Sequence, residues 1–350
     1  MEIKIKNSSK SRINKVDFND LQFCKHYSDH MFTADYDNKE WKNFQIVPFG
    51  NLAISPACTS LHYGQTIFEG LKAYRNENNE VLIFRADKNA QRFNISANRM
   101  CIPNFPEDIF IKSIKELLKV DKQWIPDSVN SSLYIRPFIF AVDPFIGIRP
   151  ADNYKFIIIT APAGGYYSQP VRVKIESKYT RAVAGGVGFS KTAANYAAAL
   201  FPSVEAQKNG YDQLIWTDGV EHKYLEESGT MNLFFLIDDT IITAPLGDTV
   251  LDGVTRDSII SLAKDLNIKL EVRKISIEEV VSSIKNGSLK EAFGAGTAAT
   301  VAPIKTIGYN SVDYNLPNIN SKSYSSIFLE KLNNIKYGKE PDLLNWITKI

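Results

Sequence analysis

The chain has 350 residues, 44% of them hydrophobic, enough for two domains with cores of their own. Its 41 basic and 39 acidic residues leave a formal charge of +2, with no basic run after the first fifteen residues and so no footprint for nucleic acid or a membrane surface. Cys24, Cys58 and Cys101 are odd in number, widely spaced and form no CxxC pair, which argues against a disulfide framework or a structural zinc site.

The opening MEIKIKNSSKSRINK lacks an apolar stretch and holds Glu2 and a single arginine, unlike a secretory or transit peptide, and reads as a frayed, solvated start. A strand is expected at 81–85, a helix at 89–100 with Arg92 in its first turns, and a second helix at 107–120 burying Ile109, Ile111, Ile114, Leu117 and Leu118. Residues 132–142 and 154–160 are β-rich and apolar enough for central strands, and the longest apolar run, around Phe156 to Pro162, is far too short to span a bilayer. Ala-Pro-Ala-Gly-Gly-Tyr-Tyr-Ser-Gln-Pro, 161–170, reads as a domain junction. Beyond it come a strand at 171–177, a helix interrupted near Pro202, and strands at 213–217, 222–227, 231–237 and 240–244, the first two joined at Asp218-Gly219 and the last stopped by Pro245. Helices at 255–266, 277–285 and 323–335 and strands near 270–272 and 290–293 complete the reading. A meander of this kind predicts an α+β fold. The expected division is a small α/β domain over 1–162, an interdomain loop over 163–175 and a large domain over 176–350 carrying the reactive lysine. A soluble, cytoplasmic protein is expected.

Chemistry concentrates at 184–198, where Lys191 is the one reactive side chain among small residues. A lysine near pKa ~10.4 needs desolvation or a neighbouring cation to act as a free amine. Gly185, Gly186 and Gly188 permit close backbone approach, and Ala193, Ala194, Ala197 and Ala198 leave room for an occupant. Leu251-Asp252-Gly253-Val254-Thr255 opens a helix, so N–H groups and a hydroxyl gather at an anion-friendly end. Gly294-Ala295-Gly296-Thr297-Ala298-Ala299 is a second small-residue loop with donors, and two such loops can hold a phosphate. Taken singly, each is an ordinary cap or turn. The second also matches the G-x-G-x-x-A dinucleotide fingerprint, but Pro303 follows too soon for the long helix that motif requires. Of the neighbours Glu226 and Glu227 one must point inward, and an inward carboxylate requires a partner; a protonated pyridine nitrogen would serve. A lysine, a phosphate site and a buried carboxylate together suit pyridoxal 5'-phosphate.

The strings SKTAANY with GGVG upstream, YLEESGTMNLFF, LDGVTRDS and AFGAGTAA, with HYGQTIFEGLKAY (62–74), LIFRADKNAQRF (82–93) and LYIRPFIFAVDPFIGI (133–148), resemble the branched-chain amino acid aminotransferases of the fold-type IV pyridoxal phosphate class. The resemblance covers most of the chain, leaving the first thirty residues and the segment after Asn310 unmatched. It implies a two-domain fold and a ping-pong amino transfer between L-Leu, L-Ile or L-Val and 2-oxoglutarate. Lys191 would be the Schiff-base lysine and proton carrier, and Glu227 the partner of the pyridine nitrogen. Tyr196 would bond the ring oxygen. Arg92, Thr255 and Thr297 would hold the phosphate, with Val254 assisting and Leu251 packing on the ring. Tyr63, Phe68 and Tyr134, with Tyr166 or Tyr167, would wall an apolar pocket; Thr297, Ala298 and Thr230 would bind the substrate carboxylate, and Arg136 the second carboxylate of glutamate. Ile148 would reach the pocket of a neighbouring subunit in a homodimer. Where some relatives carry CxxC this chain has Ala299 and Ala302, which removes redox control through that pair. A D-amino acid aminotransferase or aminodeoxychorismate lyase of the same fold is the nearest alternative. A nicotinamide-dependent oxidoreductase using the GAGTAA loop, and a silent binding protein, lie further off.

Overall fold

The computed structural model describes residues 2–128 and 130–350. The chain forms two compact units: 1–166 with 190–193 and 334–350, and 167–189 with 194–333.

In the first unit the elements are β1 (Lys4–Ile5), β2 (His30–Asp37), β3 (Glu40–Pro48), α1 (Thr59–Tyr63), β4 (Thr66–Phe68), β5 (Leu71–Arg75), β6 (Val81–Phe84), α2 (Ala86–Arg99), α3 (Glu107–Val120), β7 (Ser132–Ala141) and β8 (Tyr154–Ala163). The strands join in the order β1-β3-β2-β8-β7-β5-β6, with the chain's last strand, Ile347–Lys349, added to β6 and β4 paired to β7. Side chains alternate across a strand. Leu133, Ile135 and Ile139 of β7 therefore face one way and meet Phe93 and Ala97 of α2 and Phe110, Ile114 and Leu117 of α3 in the main core. Tyr134, Arg136 and Phe138 face the other way, alongside their cross-strand partners Lys72 (opposite Tyr134) and Phe68 (opposite Phe138).

One break in this sheet matters for function. β4 and β5 both pair with β7 but are separated at Glu69-Gly70, beside Arg136-Pro137. Pro137 has no N–H to give a neighbouring strand. Its carbonyl instead accepts from the Glu69 N–H at 2.8 Å. A Cβ at position 70 would collide with the Tyr134 hydroxyl, so a larger residue there would have to displace that ring.

The second unit contains β9 (Val171–Ile175), α4 (Ala193–Lys208), β10 (Gln213–Thr217), β11 (Leu225–Ser228), β12 (Met231–Ile237), β13 (Thr240–Thr243), α5 (Val254–Asp265), β14 (Leu270–Val272), α6 (Ile277–Lys285), β15 (Leu289–Gly296), β16 (Thr300–Tyr309), β17 (Val312–Asn315) and α7 (Tyr324–Lys336), the last of which runs on into residues of the first unit. Because β11 pairs with both β10 and β12, the path β11-β10-β9-β16-β15-β12 closes on itself. Its core joins Val173, Ile215, Leu233, Phe235 and Ile307 with Ile277 and Val280 from α6.

Several expectations change. Residues 334–350 belong with the first unit because their strand completes its sheet, and 190–193 belong there because they bond to β4, so the division 1–162, 163–175, 176–350 does not describe the units. Val171–Ile175 forms the strand expected there, so the interdomain loop does not extend to 175. The start of the chain is tied down: β1 pairs with β3, and Ser11 Oγ and the Arg12 N–H donate to Asp29 at 2.5 and 2.8 Å. Helix α4 continues through Pro202. The Asp218 turn is wider than a two-residue hairpin because the Asp218 carboxylate gathers the N–H groups of Glu221, Lys223 and Tyr224, delaying the next strand to Leu225. Pro303 lies inside β16, so the GAGTAA segment ends in the turn of a β15–β16 hairpin and opens no helix, which removes the dinucleotide reading.

Candidate active site

Lys191 enters the first unit as an extra rung on β4. Its carbonyl accepts from the Phe68 N–H at 3.0 Å, and its own N–H donates to Ser96 Oγ of α2 at 2.8 Å. The next residue, Thr192, bridges Ile67 and donates its hydroxyl to the Thr66 carbonyl at 2.8 Å. Main-chain bonds on both sides thus hold the lysine's backbone. Its amine lies 5.0 Å from the centroid of the Phe68 ring, and the same ring takes the Arg136 guanidinium at 4.7 Å. The aromatic face is electron-rich and attracts both cations.

Arg136 Nη2 donates to the Tyr134 hydroxyl at 2.8 Å, and the Tyr134 ring contacts Phe23 edge-on, which in turn meets Tyr166. Phe68, Tyr134, Arg136 and Tyr166 are therefore assembled with Lys191 through one chain of contacts, with Phe23 as a member that sequence reasoning missed. Tyr167 packs instead on the core of the second unit. Tyr63 on α1 and Ile148 in the loop after β7 are turned to solvent, 43% and 94% exposed.

Arg92 is buried on α2 and meets Glu69 with two parallel bonds, Nε to Oε1 at 2.7 Å and Nη2 to Oε2 at 2.8 Å. Burial alone would push the Glu69 carboxyl up, but Arg92, Lys191 and Asn89 outweigh it and hold its pKa below the ordinary carboxylate value.

The second unit places the remaining candidates. Glu227 on β11 is 4% exposed and its neighbour Glu226 half-buried, as strand alternation requires. Glu227 Oε1 lies 3.1 Å from Arg181 Nε, and Oε2 accepts the Leu251 N–H at 2.9 Å. Arg181 also donates Nη2 to the carbonyls of Gly188 and Thr249. It was not foreseen, since an isolated arginine in a Tyr-Thr-Arg-Ala run has no pattern. Glu226 accepts from the Thr249 hydroxyl at 2.6 Å; burial raises its pKa against the lowering effect of Thr249 and Arg181. Gly188 serves loop packing, since a Cβ there would meet Ala182 and the backbone of Asp248 and Thr249, whereas Gly185 supplies a positive φ. Asn195 Nδ2 donates to the Val187 carbonyl at 2.9 Å, joining that loop to the first turn of α4, where Tyr196 stands half-buried.

Helix α5 begins at Gly253 with no side-chain cap, so buried Val254 and Thr255 stand at an N-terminus whose N–H groups suit an anion. The turn Thr297-Ala298-Ala299 is half-buried, and Gly296 lies so close to the Thr230 carbonyl that a Cβ would not fit. Thr230 itself is exposed. Each unit holds donors of a kind that suits a phosphorylated pyridine: the first a lysine on a rigid rung, the second a buried carboxylate held by a cation and a helix start without a side-chain cap beside a hydroxyl.

A family model for class IV amino-transferases matches residues 66–307. The chain belongs to the class IV aminotransferases. Its relatives include branched-chain-amino-acid aminotransferase 2 of Bacillus subtilis, 42% identical over 96% of this chain and 94% of the relative, and the branched-chain-amino-acid aminotransferase of Mycobacterium tuberculosis, 38% identical over 94% and 92%. Among solved structures, the branched-chain aminotransferase of Thermoproteus uzoniensis with norvaline aligns with a TM-score of 0.77 at 26% identity, over 91% of this chain and 99% of that one. A T.th. branched-chain amino acid aminotransferase complexed with N-(5'-phosphopyridoxyl)-L-glutamate aligns with a TM-score of 0.73 at 25% identity, over 90% and 97%. The α+β fold of this aminotransferase is that of its relatives. Among the described residues no helix is long and apolar enough to cross a membrane.

Proposed function

We propose that this aminotransferase moves the amino group of L-leucine, L-isoleucine or L-valine to 2-oxoglutarate with pyridoxal 5'-phosphate as cofactor. The observation that carries this reading is the shared placement of Lys191, Phe68, Arg136 and Tyr134, one amine beside an aromatic wall that also holds a cation. When bound, the cofactor supplies an aldehyde for amines and a ring that withdraws electrons from the substrate's Cα. Lys191 would anchor it and carry a proton to and from the substrate's Cα. Glu227, backed by Arg181, would partner the ring nitrogen, Tyr196 the ring oxygen and Leu251 the ring face. Arg92, Thr255 and Thr297, with the Val254 backbone, would hold the phosphate.

Phe68, Tyr134 and Tyr166 exclude water from the aliphatic side chain, while Arg136 takes the distal carboxylate of glutamate. Thr230, Thr297 and Ala298 are assigned to the α-carboxylate. Tyr63 is assigned to the same wall, and Ile148 acts from a second copy in a homodimer; the exposure of Leu61, Phe145, Ile146 and Ile148, 45–94% among them, supports an apolar face that association would cover. The enzyme is assigned to the cytoplasm. The test is turnover of L-Leu, L-Ile, L-Val, D-Ala and aminodeoxychorismate, together with the visible absorbance of the protein given pyridoxal 5'-phosphate. Ping-pong kinetics with the branched L-amino acids are expected. Absence of a cofactor band, or activity confined to D-Ala or aminodeoxychorismate, overturns the assignment.

A further inference from the structure

Glu69 is fully buried and takes four donors from three residues: Arg92 through Nε and Nη2, Asn89 Nδ2 at 2.7 Å, and the N–H of Gly70 at 3.0 Å. A carboxylate has about four lone-pair positions, so these donors use its capacity. A residue so tightly engaged has one rotamer. Its backbone is fixed as well, by the bond to Pro137 at the strand break. The bidentate pairing uses the edge of Arg92 formed by Nε and Nη2 and aims the rest of the five-donor fork away from Glu69. On the same helix one turn later, Ser96 Oγ donates to the Arg92 carbonyl at 3.1 Å and receives the Lys191 N–H. The charges acting on Glu69 are those of Arg92 and Lys191, and the Lys191 amine shares the Phe68 ring with Arg136.

We propose that Glu69 is a positioning residue for the cofactor: it aims Arg92 at the phosphate and supplies the negative charge beside Lys191. This rests on the pyridoxal 5'-phosphate reading above. The two roles are separable because one depends on length and the other on charge. Glu69→Gln keeps the length but removes the charge and turns an amide N–H₂ toward one arm of the guanidinium. Glu69→Asp keeps the charge but withdraws it by one methylene, too far for two parallel bonds to Arg92.

The experiment measures two quantities on the cofactor-loaded protein: the dissociation constant of pyridoxal 5'-phosphate, by recovery of the visible band after dialysis, and the pH midpoint of that band. Glu69→Gln should weaken cofactor binding at least about tenfold and move the pH midpoint down by about one unit, because an anion that favoured the protonated linkage is gone. In Glu69→Asp the midpoint should return to within a few tenths of a unit of the parent while binding stays weak. If Glu69 acts through Arg92, Glu69→Gln should add less than about threefold to the loss of binding already caused by Arg92→Lys. Unchanged binding and midpoint in Glu69→Gln, or full additivity with Arg92→Lys, overturns the proposal. If Glu69→Gln does not fold, Glu69→Asp still decides: a midpoint displaced as far as in a general loss of packing, with no recovery, refutes the charge role. A parent protein that takes up no cofactor refutes the functional assignment instead, so the two failures differ.

Discussion

The two units each bury a carboxylate against an arginine, and they build the pair in opposite ways. In the first, Glu69 meets Arg92 and Asn89 on one helix, one turn apart, and its oxygens are taken up by side chains of that helix and its own following N–H. In the second, Glu227 is reached by Arg181 from a distant loop and by the backbone of Leu251 from another, so three segments must be in place before its charge is compensated. The contrast shows which pair is a local fixture and which reports the integrity of a whole site. Removing one member of a buried pair costs more than the pair contributes, because the survivor is left charged in a low-dielectric surround. That penalty should be felt locally at Glu69 and across several loops at Glu227.

The sharpest test of the division concerns the group that neither carboxylate can replace. Lys191→Ala should lower turnover with every substrate by at least about 10⁴-fold, since proton transfer and covalent capture are lost together. Some pyridoxal 5'-phosphate should still be retained after gel filtration, held through the phosphate residues. Near-parental turnover would remove the lysine from the chemistry. Next in size is Glu227→Gln, for which a fall in kcat of about 10²-fold is expected with little change in unfolding midpoint, as the amide keeps the shape. Glu227→Ala should instead cost on the order of 3 kcal/mol of stability by stranding Arg181, whose side chain is 8% exposed. If both variants lose rate and stability equally, Glu227 is only structural and the ring-nitrogen role belongs elsewhere.

How much of this was legible beforehand follows from what each residue depends on. Lys191 stood out because smallness on both sides is a local property; strand parity required one of Glu226 and Glu227 to point inward, and the resemblance chose Glu227. Glu69 was in plain view within a quoted motif, but its role comes from a strand break opposite Pro137, a partner far along the chain. Arg181 depends on contacts to residues 188, 227 and 249, and no short-range pattern encodes them. The strands at 30–48 and 300–315 were unassigned for related reasons. The first pair mixes charges into the alternation, and Pro303 in β16 reads locally as a stop although pairing on both sides sustains the strand. The return of 334–350 to the first unit is a long-range pairing of three residues with β6, too short to announce itself.

A smaller effect separates substrates rather than units. Tyr134→Phe removes the hydroxyl that accepts from Arg136, an interaction of about 1 kcal/mol, so the KM for 2-oxoglutarate should rise about fivefold. The KM for L-leucine should hold, because the ring and its contact with Phe23 remain. Equal increases for both substrates would mean that Arg136 only props the wall.

The mildest consequence belongs to the second unit alone. Asp218 is half-buried; that burial works against its charge, but the N–H groups of Tyr224, Glu221, Lys223 and Val220 outweigh it and hold its pKa at about 2. A folded pKa below the unfolded value contributes stability that is present above about pH 4 and is lost as pH falls toward 2. Allowing for solvent screening, Asp218→Asn should cost about 1–2 kcal/mol at neutral pH. The gap between variant and parent in chemical denaturation should close between about pH 4 and pH 2. Because the turn it organises contains none of the residues assigned to the cofactor, kcat at neutral pH should be unchanged. A variant whose stability deficit persists at pH 2 would show that the loop depends on the shape of the side chain rather than on its charge.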